Sequence, residues 1–100
     1  ELYARFCGAL SDPNRIMMLY ILAESRCNVG CMADRLDLPQ PTVSRHLKIL
    51  RERGLVESAR DGQLVYYKIT DPRIIAALDL LRAVISDQLQ GNIDLANRLK

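Results

Sequence analysis

The most informative stretch of this chain is Gln40-Pro-Thr-Val-Ser-Arg-His-Leu-Lys-Ile-Leu50. At about 3.6 residues per turn, its apolar side chains fall on one side of a helix and its polar ones on the other. The apolar side consists of Val43, Leu47 and Leu50, and the polar side of Pro41, Ser44, Arg45 and Lys48. The pattern predicts a helix from about Gln40 to Arg53 that buries one face and presents the other, with Gly54 as its left-handed C-terminal residue.

A shorter amphipathic helix is predicted just upstream, over Asn28–Leu36, and Asp37-Leu-Pro39 ends it. Two short helices joined by a tight turn form the helix-turn-helix unit that enters the major groove of DNA. The alternative is a helical hairpin in a purely structural bundle. The predicted DNA contacts on the second helix are Gln40, Thr42, Ser44, Arg45 and Lys48. His46 is predicted to contact a phosphate or to be a hydrogen-bond partner at the helix edge.

A β-hairpin is predicted after the second helix. Leu55–Ala59 and Leu64–Ile69 are β-prone runs, and Asp61-Gly62 between them is a strong two-residue turn signal. Arg60 and Gln63 lie at the predicted tip, where an arginine can enter a narrow minor groove; the alternative is a solvated turn. The sequence therefore predicts a mainly α fold with a small β-hairpin, a winged helix-turn-helix.

The terminal segments 1–10 and 72–90 are predicted to be helices that form a dimer interface. The later segment has a wide apolar stripe, wider than a small core needs, although it could instead cover the core of the monomer. The predicted interface residues are Phe6, Ile74, Leu78, Leu81 and Ile85. Asn92 is a candidate cap for a further short helix, Ile93–Leu99; the alternative is a frayed tail.

Composition favours one binding domain spanning residues 1–100. The chain is 49% hydrophobic, which suffices for one core, and its net charge of +2 is too small to indicate nucleic-acid binding by itself. An apolar run long enough to cross a membrane and a signal-peptide pattern are both absent, so the cytoplasm is expected. With one histidine, no glycine-rich phosphate loop and no nucleophile elbow, an enzyme is not expected.

Several motifs resemble those of the arsenic-repressor (ArsR/SmtB) family of bacterial metalloregulators, along about nine-tenths of the chain. They are Ala9–Ile16, Ala33–Leu36, Gln40–Leu47, Arg53–Val56 and Asp61–Tyr67. The resemblance implies a homodimeric winged-helix repressor that binds a palindromic double-stranded operator and releases it when an inducer binds. It places the recognition helix at Gln40–Leu50 and the wing at Arg60–Gln63. Pro39 departs from the family, which commonly has Ser or Thr as the cap.

The predicted inducer site rests on Cys27, Cys31 and Cys7, an odd number of cysteines that argues against a secreted disulfide framework. The family's thiolate site lies where Cys27 and Cys31 stand, although it is usually Cys-x-Cys. If Asn28 is the cap, Cys31 is at the third helical position, which favours a thiolate, and Cys27 precedes the helix on flexible backbone. Cys7 is either a core residue or a third sulfur from either protomer.

The function expected from these residues is that of a repressor, with no permanent cofactor, that releases its operator when As(III), Cd(II) or Pb(II) binds thiolates. Two alternatives stay open: the same repressor could sense oxidants or reactive sulfur through cysteine oxidation, or it could lack a cysteine-based inducer. A zinc or nickel site on the last helix is not expected, because residues 71–89 contain no histidine.

Overall fold

The computed structural model describes residues 2–98. In chain order the elements are α1 (Leu2–Gly8), α2 (Pro13–Glu24), β1 (Cys27–Asn28), α3 (Val29–Leu36), α4 (Gln40–Glu52), β2 (Val56–Asp61), β3 (Leu64–Ile69) and α5 (Arg73–Arg98). The strands form one antiparallel sheet in the order β1-β3-β2. The predicted fold class, mainly α with a wing, is confirmed.

Side-chain caps begin three of the helices as the sequence indicates. Asp12 accepts hydrogen bonds from the backbone N–H groups of Asn14 and Arg15, ahead of Pro13. Asn28 accepts one from the N–H of Cys31 at 2.8 Å, and Asp71 accepts one from the N–H of Arg73. These acceptors satisfy N–H groups that have no partner inside their helices, so each helix start is fixed locally.

The end of α4 sets the start of the hairpin. Gly54 has a positive φ of 83°, and its N–H donates to the carbonyl of Arg51, while the N–H of Leu55 donates to the carbonyl of Leu50 at 2.9 Å. This pair of bonds is a Schellman motif, and its two apolar ends, Leu50 and Leu55, are both fully buried. The predicted glycine C-terminus of the recognition helix is confirmed.

The core lies between α2, α3, α4 and the first turns of α5. Its fully buried side chains include Met18, Leu19, Met32, Val43, Leu47 and Leu50. The predicted apolar face of α4 is therefore confirmed. The core fixes the angle between α3 and α4, because side chains from both helices interdigitate in it.

Two sequence-based boundaries are wrong. Asp61 pairs with Leu64, so the hairpin turn is Gly62-Gln63, one residue later than predicted; only a glycine easily takes the φ of 67° at the first turn position. The further helix capped by Asn92 does not exist within residues 2–98, because α5 runs unbroken to Arg98. A side-chain hydrogen bond from Gln90 to Asp94 joins successive turns there.

Candidate nucleic-acid interface and cysteine pair

The outer face of α4 is free of internal contacts over its first half. Gln40, Ser44 and Arg45 are exposed, and their side chains make no hydrogen bond or ion pair with any residue in the range 2–98. Thr42 is half-buried, and the exposed Lys48 lies 4.0 Å from Glu52. The side chains of Gln40, Ser44 and Arg45 are therefore available to an external partner, and Lys48 is held only by an exposed ion pair.

His46 does not belong to this exposed face, and its burial leaves little of its surface for the predicted contact with DNA. Only 6% of its surface is exposed, and its Nδ1 lies 3.3 Å from Nη1 of Arg15, whose Nε donates to the carbonyl of Ala9. Burial lowers the pKa of His46, Asp12 opposes that shift, and the charge of Arg15 adds to it. The residue links α4 to α2, so its other predicted role, a hydrogen-bond partner, is the one observed.

The wing stands beside the start of α4. Arg60 and Gln63 are exposed, Arg60 on β2 opposite Val65 and Gln63 in the turn. Gln63 and Gln40 line one cleft of about 350 Å³ between the hairpin and the helix-turn-helix unit. The structure thus brings two predicted contacts together from elements that are far apart in sequence, and it places Arg60 on the outer part of the same hairpin.

Sequence analysis missed one residue of this region, Arg26. Its guanidinium pairs with the carboxylate of Asp61 at 3.0 Å and lies over the ring of Tyr66. No local pattern marks Arg26, because it lies in a short connection between α2 and β1. Its partners are more than thirty residues away.

The cysteine pair lies where β1 meets α3. Cys31 is exposed at the third position of α3, as predicted. The prediction that Cys27 lies on flexible backbone is wrong: it is 3% exposed, on β1, and pairs with Tyr67. Burial, together with the neighbouring side chain of Cys31, raises the pKa of the Cys27 thiol to about 12. One thiol of the pair is therefore protonated and hidden while the other faces solvent.

Cys7 is not brought to this pair. It lies on α1 and is exposed, so its predicted role as a core residue is wrong. Among the residues that the structure describes, no three side chains of His, Cys, Asp or Glu are grouped so that they could hold a metal ion. A site with three sulfurs is thus not assembled within the described protomer.

The apolar stripe of α5 divides into two parts. Ile74 and Leu78 are buried in the protomer core, which leaves little of their surface for the predicted dimer interface, and Phe6 is half-buried against the same core. Leu81 and Ile85 are each 57% exposed. The other exposed apolar residues of this helix are Leu80, Val84 and Leu89. The alternative, that the stripe covers the monomer core, holds only for its first turns.

None of the helices in the described part of the chain is both long and apolar enough to span a bilayer.

Comparison with known proteins identifies the family. The family model described as "Bacterial regulatory protein, arsR family" matches residues 12–58. The uncharacterized HTH-type transcriptional regulator MJ1325 of Methanocaldococcus jannaschii is 38% identical over 82 residues, covering 81% of this chain and 92% of the relative. The probable mercury resistance operon repressor of Streptomyces lividans is 38% identical over 85 residues, covering 84% of this chain and 67% of the relative.

A solved structure agrees with these relatives. The homodimeric winged helix-turn-helix DNA-binding domain of Mb0332 from Mycobacterium bovis superposes with a TM-score of 0.80 at 29% identity, covering 89% of this chain and 82% of that one. The family and these proteins are DNA-binding regulators, which confirms the expectation that the chain is not an enzyme. The chain belongs to the ArsR family of bacterial regulatory proteins.

Proposed function

We propose that this chain is a homodimeric transcriptional repressor whose α4 and wing bind a palindromic operator, and that a thiophilic ion bound by Cys27 and Cys31 releases the operator. The observation that carries the proposal is the cysteine pair at the joint between β1 and α3. Both elements contact the DNA-binding unit directly: β1 pairs with the wing strand β3, and α3 packs against α4.

The free outer face of α4 supports operator binding. Arg45 and Lys48 lie one turn apart, and Ser44 beside them can accept or donate a hydrogen bond. Arg60 adds a cation on the wing. A recognition helix with its polar face clear of the protomer and a cationic hairpin beside it can contact the major groove and the adjacent minor groove together.

The exposed part of the α5 stripe supports the homodimer. Leu81, Ile85 and Leu89 continue the buried line of Ile74 and Leu78 beyond the body of the protomer. An apolar line of this length costs free energy in water and is removed from it when two copies pair about a twofold axis. A dimer also matches the two half-sites of a palindrome, about one helical turn apart. The Mycobacterium bovis domain, with the same fold, is homodimeric.

The chemistry of the cysteine pair supports a soft ion. The Cys31 side chain is close enough to contribute to the raised pKa of the Cys27 thiol, and metal–sulfur bonds of about 2.3 Å or longer can join neighbouring thiols. With two sulfurs at the pair and no third brought to them within the described protomer, an ion that accepts two thiolates fits, and a trigonal ion needs a third ligand from elsewhere. The similarity to a mercury resistance repressor points to the same class of ion.

The position of Cys27 supports a coupling between ion binding and DNA release. An ion joining both sulfurs has to draw the Cys27 thiol from the core, because only Cys31 faces solvent. That movement displaces β1, which pairs with Tyr66 and Tyr67 of the wing. A hundredfold release requires about 2.7 kcal/mol of coupling, within the usual range for allosteric proteins.

The test is operator binding, measured by fluorescence anisotropy, across As(III), Cd(II), Pb(II) and Hg(II). Cys27→Ser and Cys31→Ser should keep operator affinity and lose the response to the ion. Cys7→Ser is the matched control for an ion that accepts two thiolates and should respond to Hg(II) like the natural chain; a response weakened for As(III) alone would identify Cys7 as the third ligand. Ion affinity should rise with pH, because binding displaces a proton from the high-pKa Cys27. Release of DNA by an ion from the protein lacking both Cys27 and Cys31 would refute the proposed site.

Oxidation of the same pair is the second candidate, and the position of both thiols at the junction of β1 and α3 favours it too. A peroxide would accept two electrons and two protons from the thiols as a Cys27–Cys31 disulfide forms and the peroxide is reduced to water or alcohol. A polysulfide could act as the same class of oxidant. Release by peroxide that dithiothreitol reverses, with loss of two hydrogen atoms by mass spectrometry and no response to ions, would select this candidate.

A further inference from the structure

One arginine joins both strands of the wing to the segment that carries Cys27. Nη2 of Arg26 donates to Oδ2 of Asp61 at 3.0 Å, and its guanidinium carbon lies 4.1 Å from the centroid of the Tyr66 ring. Asp61 ends β2, and Tyr66 lies on β3. The side chain of Arg26, the residue next to Cys27, therefore contacts both strands of the hairpin.

The two partners of Arg26 lie on the same face of the sheet. Ala59 pairs with Tyr66 and Asp61 with Leu64, so Asp61 and Tyr66 are diagonal neighbours on one face. Val65 and Tyr67 project from the other face, because side chains alternate along a strand. Tyr67 packs against the protomer core on that side. Arg26 thus covers the outer face of the wing, away from the core.

We propose that Arg26 is a positioning residue of the DNA-binding surface, which holds the wing at its working angle through Asp61 and Tyr66 without contacting DNA itself. The inference rests on the proposed function in one respect: it takes the wing to contact the operator. It assigns a role to a residue outside both α4 and the hairpin.

The sheet explains why such a brace matters. β1 pairs with β3 at Tyr67 and Tyr66, so within residues 2–98 the segment from Arg60 to Val65 is a two-stranded ribbon without a third strand. A two-stranded hairpin is marginally stable by itself. Arg26 reaches past the end of the β1 pairing to Asp61 and so supports this ribbon. Exposed ion pairs contribute little, but this one shares its guanidinium with an aromatic ring, which adds a second attraction.

Asp61 makes the proposal sharply testable. A carboxylate on a DNA-binding hairpin repels phosphate, so by charge alone Asp61→Asn should tighten operator binding. If Asp61 instead anchors Arg26, the same change should weaken binding. Glu57→Gln is the matched control for the loss of a carboxylate: Glu57 is also on β2, but it pairs with Lys68 at 3.2 Å and not with Arg26.

The experiment is a double-mutant cycle of operator affinity with Arg26→Gln, Asp61→Asn and both together. Each single change should weaken binding roughly three- to tenfold, and the double variant should be no weaker than the weaker single one. Glu57→Gln should bind as tightly as the natural chain or more tightly. Arg35→Gln removes a similar ion pair, with Glu24 at 3.3 Å, off the hairpin, and should be close to neutral.

Hydrogen exchange and salt dependence separate a brace from a direct contact. A brace predicts faster amide exchange of residues 60–65 in Arg26→Gln, with α4 and the unfolding temperature unchanged. A direct phosphate contact predicts that Arg26→Gln lowers the salt slope by about one and that Asp61→Asn binds more tightly, which would overturn the proposal. Unchanged affinity and exchange in both variants would also overturn it. If the natural chain bound no duplex, the proposed function would fail. Amide exchange of residues 60–65 in Arg26→Gln would then be the test of whether Arg26 holds the wing in place.

Discussion

The two amphipathic helices α4 and α5 use their apolar faces differently. In α4 every residue of the stripe, Val43, Leu47 and Leu50, is fully buried in the protomer. In α5 the stripe is buried at Ile74 and Leu78 and exposed from Leu81 onward. The difference shows that a helical pattern indicates only that a face needs a partner. The partner of α4 is the chain's own core, whereas we propose that the second half of α5 requires another copy.

The largest expected effect is the loss of the dimer. Leu81→Glu with Ile85→Glu places two carboxylates per chain in the proposed interface, at a cost of several kcal/mol for each buried unpaired charge. Sedimentation should show monomers, and operator binding should be lost. The matched control is Ala76→Glu with Ala83→Glu, which adds the same charge on the exposed opposite side of α5. An intact dimer in the Leu81→Glu, Ile85→Glu variant would place the interface elsewhere and would contradict the proposed difference between α4 and α5.

Truncating the α4 stripe should have the next largest effect. Leu47→Ala should lower the free energy of unfolding by about 2–5 kcal/mol, because Leu47 is fully buried and its removal leaves a cavity. Thermal unfolding should show this loss at every protein concentration. Leu81→Ala, by contrast, should lower the unfolding temperature by an amount that depends on protein concentration, since it weakens association. Equal concentration dependence in both variants would contradict the division between core and interface.

Removing cations from the polar face of α4 should cost less. Arg45→Ala should weaken operator binding by about 1–3 kcal/mol and relax specificity at one base, whereas Lys48→Ala should weaken all duplexes alike and lower the salt slope by about one. Titration of operator and scrambled duplexes at several salt concentrations distinguishes them. Arg98→Ala, at the far end of α5, removes the same charge and is the control. If both α4 variants bound the operator as tightly as the natural chain, the proposal that this face contacts DNA would be contradicted.

The smallest effect concerns His46, the one ionisable side chain on the buried face of α4. Burial holds its pKa below the ordinary value of 6.5, with Asp12 opposing and Arg15 and Arg45 adding to the shift. Below pH 6.5 the unfolded chain takes up the proton first, so stability should fall as the pH drops toward the lower folded pKa. His46→Gln should flatten this part of the pH profile of thermal unfolding. An unchanged profile would mean that His46 is not the responsible group.

Much of the fold and part of the site could be predicted from sequence. The caps at Asp12 and Asn28, the glycine end of α4 and its buried stripe all follow from interactions between residues within about five positions of one another. Such patterns repeat with the period of the helix and need no knowledge of distant contacts. The exposed polar residues of α4 were predictable for the same reason.

The helices, the hairpin and the faces that they present therefore follow from the local amino-acid pattern. Long-range packing, by contrast, places His46 against Arg15, buries Cys27 on a strand paired with Tyr67, and brings Arg26 into contact with the wing. It also divided the α5 stripe between the core and the surface. These outcomes depend on contacts between residues that are far apart along the chain. Such contacts depend on the shape and burial of the side chains that pack together, and the local periodicity of the sequence does not indicate them.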